Sequence, residues 1–142
     1  MSEVRRIEDA EVGRLLREQI DDHNIRITGI AEWHPITFVV DDEHGEIVAG
    51  VDGWEWGGSC FVNALWVRED RRGDGLGSAL MDAMEEAARD LGCRQMVLET
   101  HSFQAPAFYE RRGFVRAGEV AGYPRGEAFI LMRKPLTVPE TR

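Results

Sequence analysis

The sequence predicts a mixed α/β domain in which antiparallel N-terminal strands are followed by a βαβ unit. Three segments between residues 36 and 67 are rich in β-branched and aromatic residues and are separated by short turns. Apolar residues then recur with helical spacing from Leu76 to Leu91, and a short apolar segment follows at residues 96–98. A strand that returns after a helix usually lies parallel to the strand before it, so the centre of the sheet is predicted to be parallel.

A helix is predicted first, over residues 8–22, and it is expected to end near residue 23. Its apolar residues stand three to four positions apart among charged residues, which is typical of an amphipathic helix. They are Val12, Leu15, Leu16 and Ile20.

Residues 36–40 and 46–56 predict a β-hairpin, because residues 41–45 between them supply turn chemistry. Gly57 and Gly58 then turn the chain into a third strand, residues 60–67, which is apolar enough to lie in the middle of the sheet. We therefore expect three consecutive antiparallel strands.

The helix that begins at Leu76 is expected to stop at Gly92, since glycine readily adopts the left-handed conformation that ends a helix. After the strand at residues 96–98, a second helix is predicted over residues 106–112, with Pro106 in its first turn. Residues 114–119 and 128–132 predict two closing strands, and residues 137–142 predict a loose tail. With 142 residues in all, we expect a single domain spanning residues 1–142.

The charge and composition exclude several classes of partner. Seventeen Lys and Arg stand against 26 Asp and Glu, a formal net charge of −9, which disfavours nucleic acid and anionic membrane surfaces as partners. No apolar run is long enough to span a membrane, and the N-terminus lacks the apolar core of a signal peptide, so a cytoplasmic protein is expected. Cys60 and Cys93 are predicted to be buried free thiols, and no Cys/His spacing suggests a metal site.

A glycine-rich segment, residues 71–78, stands between the third strand and the helix that follows; we call it the glycine loop. Glycines let the backbone wrap closely around a ligand, and the helix start directs free N–H groups and a positive dipole end at the same place. The loop is therefore predicted to hold an anion such as a pyrophosphate. It matches neither a dinucleotide fingerprint nor a Walker loop. The alternative is a loop made flexible for packing alone.

Two motifs resemble those of the GCN5-related N-acetyltransferases, the GNAT family. Residues 72–77, Arg-Gly-Asp-Gly-Leu-Gly, match the family signature Arg/Gln-x-x-Gly-x-Gly/Ala, and residues 105–114 look like its Ala-x-x-x-Tyr-x-x-x-Gly-Phe element. The resemblance covers about residues 36–136. It implies a GNAT-like mixed central sheet with a βαβ cofactor-binding unit. It also implies transfer of an acetyl group from acetyl-CoA to a primary amine, with a small-molecule acceptor as the first choice.

The resemblance places acetyl-CoA where the strands at 60–67 and 95–99 splay apart, with its pyrophosphate on the glycine loop. The pantetheine arm would pair with the backbone of the third strand, and an N–H near Val67 would face the thioester oxygen. Ser102 stands where family members often have Asn. The cofactor-binding residues implied are Leu65, Trp66, Val67, Arg72, Gly73, Asp74, Gly75, Leu76, Gly77, Ser78, Ser102, Ala105 and Phe108.

The resemblance also makes Tyr109 the acid that protonates the coenzyme A sulfur; the alternative is a tyrosine that packs in the core. For the base that accepts the amine proton we expect Glu99, at the end of a strand, unless its carboxylate is held in a structural hydrogen bond. Three residues are alternatives: Glu55, His34 and His101.

Trp54, Glu55 and Tyr123 are predicted to contact the acceptor. Trp54 and Trp56 share one face of a strand and could form an aromatic wall for a cation, an acceptor that the negative net charge also favours. Tyr123 lies in a turn, residues 122–126, that would close or line the acceptor groove. The four tryptophans are Trp33, Trp54, Trp56 and Trp66. We expect three of the four to pack in the core, with Trp66 among them.

Other functions remain open from the sequence. A protein N-terminus or a lysine could be the acceptor, or the chain could bind acyl-CoA without turnover, although an intact tyrosine at position 109 argues against a pure binder. A flavin or nucleotide phosphate on the glycine loop is disfavoured by the antiparallel strands before it. A homodimer is possible, because small domains of this shape have an exposed sheet edge.

Overall fold

A computed structural model describes residues 2–137. Contacts within the chain divide it into two compact units, Met1–Glu32 and Trp33–Arg142. Residues 138–142 of the tail that we expected over residues 137–142 lie outside the described residues.

The first unit contains one helix, α1, at Ala10–Thr28. The Asp9 side chain caps its start by accepting a hydrogen bond from the Glu11 N–H, and Gly29, at φ 72°, ends it. The predicted end near residue 23 is therefore wrong by about one and a half turns, because the left-handed glycine that stops the helix comes later. No residue of α1 is buried.

The second unit is a six-stranded sheet with two α-helices, as the mixed α/β prediction required. The elements are β1 Trp33–Asp41, β2 Ile47–Trp56, β3 Ser59–Val67, a 3-10 turn Glu69–Arg71, α2 Leu76–Asp90, β4 Gln95–His101, α3 Pro106–Arg111, β5 Val115–Ala121 and β6 Ala128–Pro135. The strand order is β1-β2-β3-β4-β6-β5, and among the strands of the described residues only β3 and β4 pair in parallel.

The glycine signals predicted the helix boundaries well in this unit. Gly92 follows α2 at φ 79°, and Gly113 follows α3 at φ 96°. Pro106 is the first residue of α3, where its missing N–H costs no hydrogen bond. Most strands are longer than predicted, most clearly β4, which begins at Gln95 and continues to His101.

The core lies on the α2 side of the sheet. Alternate residues of the strands pack there against the apolar stripe of the helix, including Met81, Met84 and Ala88. The strand side chains in this core include Val51, Cys60, Val62, Met96, Leu98, Ile130 and Met132. Successive residues of a strand point to opposite faces of the sheet. Residues such as Trp54 therefore lie on the face opposite α2.

A largely buried ion pair fastens α2 to β6. The Lys134 ammonium donates to the Glu85 carboxylate, and Arg89 donates to the other oxygen of the same group. Desolvation by burial opposes ionisation of Glu85, but the hydrogen bonds from Lys134 and Arg89 outweigh it, so the pKa of this carboxyl is lowered. The pair therefore remains charged at neutral pH.

The expectation that three tryptophans pack in the core is wrong. Trp33 and Trp66 are 53% and 48% exposed, and Trp54 is only half-buried, stacked on Phe61 with ring centroids 5.0 Å apart. Strand alternation places Trp54 and Trp66 on the face opposite α2, and Trp66 lies beside a cleft. The large apolar side chains of the tryptophans suggested burial, but the register of the strands determines which face of the sheet each one lies on.

The two cysteines are free and buried, as predicted. Burial raises the pKa of Cys60 to about 12 and that of Cys93 to about 11, so both remain thiols at neutral pH. None of the described helices combines the length and apolarity needed to cross a membrane. Within residues 2–137, no cluster of three or more His, Cys, Asp or Glu side chains is arranged to hold a metal ion.

Candidate active site

A cleft opens where the two parallel strands separate. β3 and β4 pair only between Ser59–Val62 and Gln95–Leu98. Beyond these four pairs β3 continues beside β2 alone, and β4 continues beside β6 alone. The edge of each strand that faces the gap is therefore left without a neighbouring strand.

A β-bulge in β3 stands at the point of separation. Val62 pairs with Gly53 and Ala64 with Asp52, so Asn63 is an extra residue with no partner in the register. Bulges bend the strand that carries them. Gly53 makes the bulge possible, because a Cβ at this position would lie 2.1 Å from the Phe61 carbonyl oxygen.

The cleft has a volume of about 940 Å³ and is lined by residues from β3, the glycine loop, α2, β4 and α3. It brings together thirteen of the predicted site residues: Leu65, Trp66, Val67, Arg72, Gly73, Gly75, Leu76, Gly77, Ser78, Glu99, Ala105, Phe108 and Tyr109. A volume of this size is typical of small-molecule and cofactor sites.

The glycine loop and the start of α2 form one wall of the cleft. Gly73 and Gly75 have φ values of 89° and 80°, and a Cβ at either position would meet no atom within 4 Å. The first helical hydrogen bond of α2 runs from the Ala79 N–H to the Gly75 carbonyl. No side chain caps the helix start and its first turn holds no acid, so its free N–H groups and positive dipole end remain available to an anion.

Two arginines brace this wall. The Arg72 Nε donates to the Val67 carbonyl oxygen at 3.0 Å, which ties the glycine loop to the end of β3. Arg71 forms an ion pair with Asp74, with 3.5 Å between Nε and Oδ2. Both guanidinium groups belong to residues that line the cleft, whereas Asp74 does not. Arg72 therefore leaves a net positive charge beside the helix start, whereas the charge of Arg71 is offset by Asp74.

The α3 wall presents two aromatic rings. Phe108 lies against α2, since a Cβ on Gly77 would be 3.6 Å from its Cζ. Tyr109 packs edge-on against Phe108 and Phe114, with centroids 5.2 and 5.8 Å away. Burial raises the pKa of Tyr109, and no group among residues 2–137 forms a hydrogen bond with its hydroxyl. This phenol therefore stays protonated at neutral pH and has an uncommitted O–H.

The β4 side of the cleft contributes Glu99, an exposed residue. Gln104 shapes the loop that follows, because its side-chain oxygen accepts hydrogen bonds from the Thr100 hydroxyl at 3.1 Å and from the His101 N–H at 2.9 Å. Phe103, 57% exposed, extends from this loop into the cleft lining. An acid and an aromatic ring thus stand together near the carboxyl end of β4.

His101 does not line the cleft but stands behind Phe103. Its ring is stacked on Phe103 with centroids 5.2 Å apart, and its Nδ1 lies 3.1 Å from the Tyr123 carbonyl oxygen. A carbonyl only accepts hydrogen bonds, so Nδ1 donates and carries a hydrogen. His101 thereby connects the β4–α3 loop to the turn that carries Tyr123.

Five predicted site residues lie outside the cleft lining: Trp54, Glu55, Asp74, Ser102 and Tyr123. Ser102 joins the end of β4 to β6, because its hydroxyl donates to Glu127 and accepts from the Ala128 N–H at 2.8 Å. Its position favours a structural contact, and its cofactor role remains a prediction. Trp54, Asp74 and Tyr123 also remain predictions for the outer parts of the site.

Glu55 occupies a position that does not fit its predicted role. It is 8% exposed and pairs in register with Cys60 on the core side of the sheet. Its Oε2 lies 2.7 Å from the His34 Nδ1, and its Oε1 accepts from the Gly58 N–H at 3.2 Å. Strand alternation explains the difference, since it directs Trp54 and Glu55 to opposite faces. The expectation that the Glu55 carboxylate turns toward the substrate is therefore wrong. His34 pairs in register with Glu55 and lies on the same face of the sheet.

Several residues that line the cleft were not predicted as site residues from the sequence, notably Asn63, Phe103, Gln104 and Arg111. Arg111 could have been found from helical spacing, because it follows Phe108 by three positions and so lies on the same side of α3. A glycine inside an apolar strand, Gly53, is the signal that could have predicted the bulge at Asn63. The side chain of Phe103 gave no such signal.

Comparison with known proteins agrees with this geometry. Residues 4–114 match the Acetyltransferase (GNAT) family. The blasticidin-S acetyltransferase of Streptomyces morookaense is 37% identical over 119 residues, covering 79% of this chain and 85% of that protein. The crystal structure of an acetyltransferase from Bacillus cereus has a TM-score of 0.83 at 30% identity, covering 95% of this chain and 98% of that one. Nourseothricin acetyltransferase has a TM-score of 0.64 at 29% identity, covering 72% and 66%. The chain thus belongs to the GNAT acetyltransferase family and is an acyltransferase, as its two motifs led us to expect.

Proposed function

We propose that the protein transfers an acetyl group from acetyl-CoA to a primary amine of a small molecule, by direct attack within a ternary complex. The observation that carries this proposal is the cleft between β3 and β4, whose lining includes the glycine loop, Tyr109 and Glu99. Each of these groups matches one requirement of acetyl transfer.

The glycine loop and the start of α2 supply the phosphate site of the proposal. Backbone N–H groups at a helix start bind anions, and Arg71 and Arg72 add positive charge beside them. A pyrophosphate placed there would leave the rest of acetyl-CoA to extend along β3. Residues 64–67 of β3 pair with β2 on one side and have no strand on the side that faces the gap, so the pantetheine amides can continue the hydrogen-bond pattern of the sheet there.

Chemistry begins when the neutral amine attacks the thioester carbonyl carbon and forms a tetrahedral intermediate. A backbone N–H near Val67 is our choice for the group that stabilises the oxyanion, because its strand lines the cleft. The C–S bond then breaks, and the sulfur takes a proton. We assign that proton to Tyr109, whose raised pKa keeps the phenol protonated at neutral pH.

The amine must lose a proton during the transfer. Glu99 is the single carboxylate among the described residues that line the cleft, so we assign it the role of receiving this proton directly or through water. Its negative charge also favours a cationic acceptor. Trp54 and Tyr123 remain candidates for outer acceptor contacts, and the exposed Phe103 ring is a further surface on which the acceptor can pack.

Two related proteins support a small-molecule acceptor. Their names describe acetylation of blasticidin S and of nourseothricin. Acetylation of a protein N-terminus or lysine, and acyl-CoA binding without turnover, are the alternatives. A cytoplasmic location, the absence of nucleic-acid and membrane partners, a homodimer and independence from metals all remain predictions.

Calorimetric titration with acetyl-CoA tests the cofactor assignment. Gly75→Asp places bulk and negative charge where we expect the pyrophosphate, and Gly92→Asp is a matched control at the other end of α2. Both glycines have φ near 80°, and a Cβ on either would meet no atom within 4 Å, so the backbone strain is similar. We expect wild type and Gly92→Asp to bind and Gly75→Asp to lose binding. Equal binding by all three proteins would overturn the phosphate assignment.

A thiol-release assay over a panel of small amines and short peptides then tests turnover. Release of coenzyme A with small amines supports the proposal, whereas release only with peptides favours the protein acceptor. Binding without release for any amine would identify the chain as a pure acyl-CoA binder.

A further inference from the structure

The cleft contains one arginine whose guanidinium has no hydrogen-bond or ion-pair partner in the described part of the chain. Arg111, at the end of α3, lines the cleft, and no ion pair or hydrogen bond to its guanidinium is formed within residues 2–137. The neighbouring Arg112 pairs with Asp82, Arg71 with Asp74, and Arg72 with the Val67 carbonyl. Arg111 alone of these four has no partner.

The position of Arg111 relative to α2 is fixed from two sides. Phe108, one turn earlier in α3, lies against Gly77 in the first turn of α2. Arg112, the next residue, reaches Asp82 in the following turns of α2, with 2.6 Å between the nitrogen and the carboxylate oxygen. Arg111 is therefore held beside the start of α2, on a different element from the glycine loop.

The cleft is lined by more positive than negative side chains, in contrast to the chain as a whole. Three arginines, Arg71, Arg72 and Arg111, stand against one carboxylate, Glu99, although the chain as a whole has a net charge of −9. An unpaired guanidinium in such a setting is suited to bind an anion through charge-assisted hydrogen bonds. The glycine loop, Arg71 and Arg72 already provide for two phosphate groups, so Arg111 is left over.

We propose that Arg111 binds the 3′-phosphate of coenzyme A and makes the enzyme prefer coenzyme A over 3′-dephospho-coenzyme A. This inference rests on the proposed function. Coenzyme A carries a 3′-phosphate on the ribose adjoining its pyrophosphate, so this group projects beside the pyrophosphate site and not into the acyl end of the cleft. A phosphate monoester carries between one and two negative charges at neutral pH, a good match for an exposed guanidinium.

The test is calorimetric titration of the full chain with coenzyme A and with 3′-dephospho-coenzyme A. Wild type, Arg111→Gln, Arg111→Lys and the control Arg94→Gln are compared. Arg94 is an exposed arginine at the opposite end of β4 and does not line the cleft. For wild type we expect the Kd for coenzyme A to be roughly tenfold lower than that for the dephospho compound, as one charge-assisted contact would give.

Arg111→Gln should abolish this preference by weakening only coenzyme A binding, Arg111→Lys should keep part of it, and Arg94→Gln should keep all of it. An unchanged Kd for the dephospho compound shows that Arg111→Gln is folded. Equal affinity of wild type for both compounds, or a preference that survives in Arg111→Gln, would overturn the inference and leave the proposed function standing. If wild type binds neither compound, the proposed function fails and the inference fails with it.

Discussion

Replacing Gly53 by alanine tests whether the β3 bulge creates the cleft. The new Cβ would lie 2.1 Å from the Phe61 carbonyl oxygen, whereas real Cβ atoms essentially never approach closer than 3.0 Å. The two backbones must therefore separate by about 0.9 Å, the difference between these distances. The atom in the way belongs to the main chain of β3, so no rotamer change can relieve the contact.

We expect Gly53→Ala to lower the free energy of unfolding by about 3 kcal/mol, the upper end of the range for overpacked interior sites. Displacing β3 at the bulge should also weaken acetyl-CoA binding, because the strand that leads into the cleft moves. Urea denaturation followed by tryptophan fluorescence measures the first effect, and calorimetry measures the second.

Gly50→Ala is the matched control, because Gly50 lies in the same strand and its Cβ would be 3.2 Å from the Phe38 carbonyl oxygen. A shift of a few tenths of an ångström accommodates that contact, so its cost should stay below about 1 kcal/mol. If the two variants unfold at the same urea concentration, the bulge tolerates a side chain and the argument is wrong.

Three further predictions follow from the site and the core. Tyr109→Phe should lower kcat by roughly a hundredfold or more while leaving the Kd for acetyl-CoA unchanged, since a general acid acts only on the chemical step; a normal kcat in the thiol-release assay would exclude Tyr109 as the acid. Phe103→Ala should raise KM for the acceptor severalfold and leave acetyl-CoA binding unaltered, which steady-state kinetics with each substrate varied would detect. Lys134→Met should lower the free energy of unfolding by about 2 kcal/mol at pH 7, because Glu85 loses a charged hydrogen-bond donor. The pKa of Glu85 is lowered in the folded state. The stability that the ionised carboxylate contributes is therefore present above the pKa of Glu85 in the unfolded chain and is lost as the pH falls through its pKa in the folded protein. In urea titrations, the difference in free energy of unfolding between wild type and Lys134→Met should therefore shrink at acidic pH.

The βαβ unit was predictable from sequence because its signals are local. Helical periodicity marks α2, and Gly92 and Gly113 stop helices by a conformation that other residues adopt reluctantly. The glycine loop was likewise predictable, since its glycines and the helix after it are contiguous in the chain. These features depend on backbone preferences and not on distant partners.

The features that were not predicted depend on the register between strands. The pairing between β2 and β3, with its one extra residue Asn63, decides whether Trp66 is buried. The same pairing decides whether Glu55 faces the cleft or the core. One inserted residue reverses which face every later side chain takes. Arg111 was missed for a related reason, because its lack of a partner is a property of the folded neighbourhood.

The parallel seam between β3 and β4 contains four residue pairs, fewer than any other pairing in the sheet. β1–β3 and β4–β6 are therefore two panels joined edge to edge along a short line, and the cleft is the unfilled continuation of that line. A ligand that forms hydrogen bonds to both panels would hold them together across the cleft. The sheet is weakest laterally along the line where its chemistry is proposed to occur, so occupancy should slow amide hydrogen exchange most at Val62 and Leu98, where the seam ends.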